Sequence, residues 1–183
     1  MSYGIVLLRV VLGAIMAAHG AQKLFGWFGG PGPRGTAGFV AQLRYRGGLA
    51  TAAALGLAEL GGGALLALGL ITPVGAFFVA AVMVNAVATV HWRNGFFAGS
   101  GGWEFNLLIW GAAVALAGTG GERFSLDRVI GWEGSLGGVW WLVGAGGASL
   151  LVSALVLLLG REPERPAAQP ESGERERKVS RAA

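Results

Sequence analysis

The sequence contains no cysteine. That absence excludes disulfide staples, CxxC redox chemistry, thiolate metal sites, iron–sulfur clusters and covalently attached c-type haem on this chain. Charge is scarce as well. Only 13% of residues are charged, where soluble domains carry about a quarter, and nearly half of those charges lie beyond residue 160. No Ser-His-Asp order, H-E-x-x-H, P-loop or dinucleotide fingerprint is present, so hydrolytic and nucleotide chemistries have no motif to rest on. The glycine runs at 29–35 and 99–102 lack the strand–turn–helix context of phosphate binding and read as loops. The net charge of +4 does not point to nucleic acid, because the basic residues sit in loops and a tail and form no single face.

What the chain has is apolar length. Hydrophobic residues make up 54% of it, and 34 residues are glycine. A helix needs about 20 apolar residues to cross roughly 30 Å of hydrocarbon. Five stretches qualify: Gly4–Phe25, Leu49–Ile71, Val74–Trp92, Trp103–Gly118 and the purely apolar Leu136–Leu159. The first is expected to be a retained helix and not a cleaved signal, since it lacks a basic n-region and Arg9 interrupts it. Thr72-Pro73 is expected as a tight turn. Gly and Pro in GWFGGPGPRG forbid regular helix at the start of the 26–48 connection. Thr36–Tyr45 is mildly amphipathic and suits the membrane interface. The small residues Gly56, Gly61, Gly62, Gly63, Gly111 and Ala115 are expected at helix contacts. The expected fold class is therefore all-α. Its organisation is a four-helix transmembrane domain over 1–135, a further transmembrane helix over 136–160 and a disordered charged tail over 161–183.

The N-terminal side of the bilayer can be called side A and the opposite side B. Arg34, Arg44, Arg46 and Arg93 fall in side-B loops, with Lys23 nearby, and the tail adds further basic residues. Side-A loops hold Arg123 and Arg128. The positive-inside rule thus places side B, with the tail, in the cytoplasm. Trp27, Trp92 and Trp103 would mark the side-B interface, and Trp132, Trp140 and Trp141 side A. A weak internal echo relates HGAQKLFGWFGG at His19–Gly30 to HWRNGFFAGSGG at His91–Gly102. A duplicated helix pair would explain it; so would chance in a glycine-rich chain.

The informative residues are the ionisable groups inside the apolar segments, each costing about 2.5–3.5 kcal/mol at mid-bilayer by insertion scales. They are Arg9, His19, Lys23, Glu59, His91 and Glu104, with Gln22, Asn85 and Asn106 as neutral companions. At 1.5 Å per residue, Glu59 lies about 15 Å from side B, near the midplane, and His19 about 9 Å inside it. Lys23, His91 and Glu104 lie within roughly a turn of side B. Arg9 comes from the opposite half, within reach of Glu59 through its long side chain. The expected pairs are Glu59 with Arg9 or His19, and Glu104 with Lys23 or His91. Two roles stay open for this set: fixing helix register, or lining a side-B pocket for a ligand or proton relay. Axial haem ligation by His19 and His91 is disfavoured by their different depths, and no metal site is expected.

The polar positions also carry a resemblance. LLRVVLGAIMAAHGAQKLFGWFGGPGPRGTAGF at 7–39, GLAELGGGALLALGLITPVGA at 56–76, VATVHWRNGFF at 87–97, GGWEFNLLIW at 101–110 and RFSLDRVIG at 123–131 resemble the DoxX family in order. The resemblance implies a four-helix membrane fold. It also implies a subunit of an oxidoreductase or redox-stress system, such as the thiosulfate:quinone oxidoreductases, in a bacterial cytoplasmic membrane. A quinone would be its ligand and soluble redox enzymes its partners, with Arg9, His19, Lys23, Glu59, His91 and Glu104 at family-like positions. Whether the protein is itself catalytic stays open, as does a homo-oligomer. The competing expectation is a non-catalytic membrane scaffold that docks soluble enzymes. The last apolar helix and tail fall outside the family pattern.

Overall fold

The computed structural model describes residues 2–163. Its helices are α1 (Ser2–Phe25), α2 (Gly32–Gln42), α3 (Leu49–Leu68), α4 (Thr72–Ala86), α5 (Glu104–Thr119), α6 (Leu126–Val129) and α7 (Val139–Leu159). No strand occurs among the described residues. Four helical stretches are long and apolar enough to cross a membrane: Tyr3–Phe25, Leu49–Leu68, Thr72–Asn94 and Val139–Leu159. Leu7, Leu57, Leu151 and Leu158 are exposed on them. Apolar surface on this scale suits lipid and not water. These are the features of a multi-pass membrane protein. At 16 residues, α5 is shorter, about 24 Å, yet it carries the chain from the end of α4 back to the level where α4 starts.

Backbone contact between α1 and α3 organises the bundle. Gly13 and Gly20 on α1 face Gly63 and Gly56 on α3, in antiparallel order and with seven-residue spacing on each helix. A Cβ on Gly13, Gly20 or Gly63 would collide with the backbone of the other helix. Small residues here let two helices approach where lipid offers no hydrophobic drive. The expected contacts at Gly56, Gly62 and Gly63 are present, whereas Gly61 and Gly111 face open space and Ala115 is exposed. Met16, Leu66, Val79 and Leu116 fill the core between α1, α3, α4 and α5. α7 packs on α4 and α5.

Several expected boundaries shift for physical reasons. Regular helix does form inside GWFGGPGPRG, because α2 starts at Gly32 and sets Pro33 in its first turn, where no N–H is needed. α3 stops at Leu68, since Gly69 takes a left-handed φ of 62°. Thr72 and Pro73 then open α4 instead of forming the turn themselves. α7 is not purely apolar in effect: Ser149 and Ser153, four residues apart, are fully buried against the bundle. The tail does not begin at Arg161. Arg46 N–H donates to Gly160 O (2.8 Å), Glu162 N–H to Arg44 O (2.9 Å), and Arg161 Nε to Leu43 O (3.0 Å). This clip ties the end of α7 to the α2–α3 connection. The remainder of the expected tail lies outside the described residues.

Candidate functional site

Four of the six candidate residues gather in the side-B half. Lys23 points inward from the last turn of α1, and its Nζ lies 2.6 Å from Glu59 Oε2 on α3. Gly56, one turn from Glu59, leaves the space that the Leu24 side chain fills, with the Lys23 Cβ beside it. Glu59 Oε2 is buried and receives no aligned hydrogen bond, so the pair is held by charge and proximity. The expected partners of Glu59 were Arg9 or His19. Lys23 takes that place because its stem can extend from the interface toward the midplane, while Arg9 is committed elsewhere. His19, one turn before Lys23, is exposed on α1 and lends its carbonyl to Lys23 Nζ at 3.5 Å.

His91 is placed by a defect in α4. Beyond Ala86 the helix widens into a π-turn over Val87–His91, then tightens through Trp92–Asn94. Such widened turns are frequent at functional sites. His91 Nδ1 lies 2.8 Å from Gly101 O. A carbonyl can only accept, so Nδ1 carries the proton and Nε2 of the neutral ring is left as an acceptor.

Two cavities meet at these residues. The first, about 380 Å³, lies before α4 between α3 and α7, with the Leu43–Tyr45 segment over it. Its wall is apolar apart from Lys23, Tyr45, Thr51, Glu59, Asn85, Thr89 and His91. Ala54, Phe78, Val152 and Val156 line it and are also exposed, so it opens sideways to the lipid-facing surface. The second, about 360 Å³, is lined by α1, α3, α4, α5 and the 98–102 loop, and includes His19, Met83 and Asn106. Glu59 and His91 line both.

The other two candidates do other work. Glu104 pairs with neither Lys23 nor His91; its Oε1 accepts from Ala98 N–H at 2.8 Å and folds the 98–102 loop onto the second cavity. Arg9 does not reach Glu59. It is 1% exposed at the side-A end, where Nη1 donates to Gly121 O and Nη2 to Phe124 O. Beside it sits Asp127, 0% exposed. The Asp127 carboxylate accepts from Ile71 N–H (2.6 Å), Thr72 N–H (3.1 Å) and the Thr72 hydroxyl (2.8 Å), capping α4 from another segment. Its own N–H donates to Gly69 O at 2.8 Å.

Sequence reasoning missed Asp127 and Tyr45, which sit in connections, and Ser153. The last had a signal: serines at 149 and 153 share a helix face. Tyr45 O–H donates to Asn85 Oδ1 at 3.0 Å, and Asn85 Nδ2 donates to Ser153 Oγ at 2.9 Å. Among the described residues no cluster of three or more His, Asp or Glu side chains could hold a metal ion.

The family model of DoxX matches residues 4–92. Through that region, the chain belongs to the DoxX family. The matched stretch runs from α1 to Trp92 and includes Arg9, His19, Lys23, Glu59 and His91. Glu104, α5, α6 and α7 fall beyond it, so in this DoxX-family protein the α7 wall of the first cavity comes from outside the matched segment. No characterised protein and no solved structure matches the chain.

Proposed function

We propose that this DoxX-family protein is the membrane subunit of an oxidoreductase or redox-stress system, and that it binds a quinone-like ligand in the first cavity. One observation carries the reading. A largely apolar chamber, open to the lipid-facing surface, ends at charged and titratable groups that also border a second chamber. That form suits a molecule dissolved in the bilayer with a polar ring and an apolar tail. Glu59 is the proton-exchanging carboxylate, Lys23 its counter-charge, and His91 a ligand contact through Nε2. The second chamber, reaching His19, is the route by which protons leave or reach Glu59. The membrane is the bacterial cytoplasmic membrane, with side B, rich in Arg34, Arg44, Arg46 and Arg93, facing the cytoplasm; α5 is the additional crossing.

The test is titration of the full chain in lipid nanodiscs with a decyl-tailed quinone in its oxidised and reduced forms. Saturable binding of at least one form is expected. Glu59→Gln or His91→Ala should weaken it while thermal unfolding stays close to the parent. Absence of binding in the parent protein would overturn the reading and leave a docking scaffold in its place.

A further inference from the structure

Every hydroxyl, amide and imidazole donor that lines the first cavity is spent inside the protein. The direction of each bond is set by a group that can only accept. Asn85 Nδ2 donates to the backbone carbonyl of Ala81 at 2.9 Å, which fixes the amide so that Oδ1 is the acceptor. Tyr45 is therefore the donor in its 3.0 Å bond to Asn85 Oδ1. Thr89 Oγ1 donates to Asn85 O at 2.8 Å, and Thr51 Oγ1 to Arg46 O. His91 Nδ1 donates to Gly101 O. Lys23 faces Glu59 and the His19 carbonyl.

What these groups turn toward the cavity is accepting capacity. Tyr45 keeps oxygen lone pairs, His91 keeps Nε2, and Glu59 keeps a carboxylate whose Oε2 is ion-paired with Lys23 at 2.6 Å. Arg161 helps to fix the Tyr45 ring, with its guanidinium carbon 5.8 Å from the ring centroid. A ligand whose ring oxygens can only accept finds no free hydroxyl, amide or imidazole donor here, and the Lys23 ammonium is engaged by Glu59. A ligand that donates meets acceptors with remaining capacity in a largely apolar chamber, and unpaired buried groups are what polar recognition penalises most.

We propose that the cavity selects the reduced, dihydroxy-aromatic form of its ligand over the oxidised dicarbonyl form. This rests on the quinone-like reading above and adds a redox preference to it. It claims binding alone, with no electron transfer.

The experiment compares, in full-chain nanodiscs under anaerobic conditions, a decyl-tailed hydroquinone with the matching benzoquinone. The hydroquinone should bind roughly tenfold tighter, the scale of one well-placed hydrogen bond. Tyr45→Phe, which keeps the ring, should lower hydroquinone affinity by roughly threefold or more and leave benzoquinone unchanged. Glu59→Gln, which puts an amide donor in the place of an acceptor, should narrow or reverse the preference. Equal affinities in the parent protein, or tighter benzoquinone, would overturn this inference and leave the quinone-like reading standing. No binding of either form would end both. Should one variant fail to fold, the parent ratio and the other variant still decide.

Discussion

The two ends of the bundle treat buried charge in opposite ways. At side A, Arg9 and Asp127 are sealed from solvent; Arg9 Nη1 and Nη2 and the Asp127 carboxylate are directed at backbone groups of the 69–72 turn and the 121–124 segment, and Arg9 Nε alone has no partner among the described residues. The ends of four segments are tied there. At side B, Lys23 and Glu59 touch each other, Lys23 borders the first chamber and Glu59 borders both. A charge whose hydrogen bonds are answered by the backbone is a fastener. A charge that borders open space is available to a ligand.

That contrast can be broken by substitution, and the largest effect is expected at side A. Asp127→Ala removes the acceptor for Ile71 and Thr72 and leaves Arg9 without its neighbouring carboxylate. A loss of about 2–4 kcal/mol is expected, since buried donors left unsatisfied cost about 1–3 kcal/mol each, read as loss of monodisperse protein or a sharply lower unfolding temperature in detergent. Next is Gly63→Val, which drives a side chain into the α1 backbone. Overpacking of this kind costs about 1–3 kcal/mol or more, and the same unfolding assay should show it, while Gly61→Val at the open position should be close to neutral. Glu59→Gln should cost only about 1 kcal/mol, because Lys23 can extend to the interface, but it should remove or reorder ligand binding. If Glu59→Gln unfolds the protein as severely as Asp127→Ala, the two ends are alike and the contrast fails.

Smaller effects are expected at the α7 seam. Ser153→Ala should cost about 0.6 kcal/mol, typical of a polar contact between membrane helices, visible as a slight shift in unfolding temperature. Burial pushes the Tyr45 phenol above its ordinary value of 10.0, against smaller opposing effects of Thr89 and Arg161. Its neutral form is thus favoured by folding. The resulting stability is complete below pH about 10 and is lost as pH rises through the higher folded value. Tyr45→Phe should remove that alkaline loss in a comparison of unfolding against pH.

Much of this was legible in the sequence, for reasons tied to particular residues. The apolar runs around Leu12, Leu66 and Val79 announce helices because hydrocarbon demands internal hydrogen bonding. Glu59, Lys23 and His91 stand out because a charge in such a run is costly. Partner choice was not legible. Lys23, and not Arg9, meets Glu59 because of how α1 and α3 are rotated by the Gly13–Gly63 and Gly20–Gly56 contacts, and a rotation of that kind has no one-dimensional mark. Asp127 looks like an ordinary loop acid until the 120–130 segment folds beneath the α3–α4 turn. Arg161 and Tyr45 are 116 positions apart, yet they form one clip.

By itself, the sequence determined that this chain is a helical membrane protein of the DoxX family and which few residues within it are expensive to bury. Composition and run length suffice for that, since transfer cost depends on a residue and its immediate segment. Only the tertiary structure decided which of those residues fasten the bundle and which face a cavity. Hydrogen-bond direction and enclosure depend on groups that lie far apart along the chain and meet only when the helices pack.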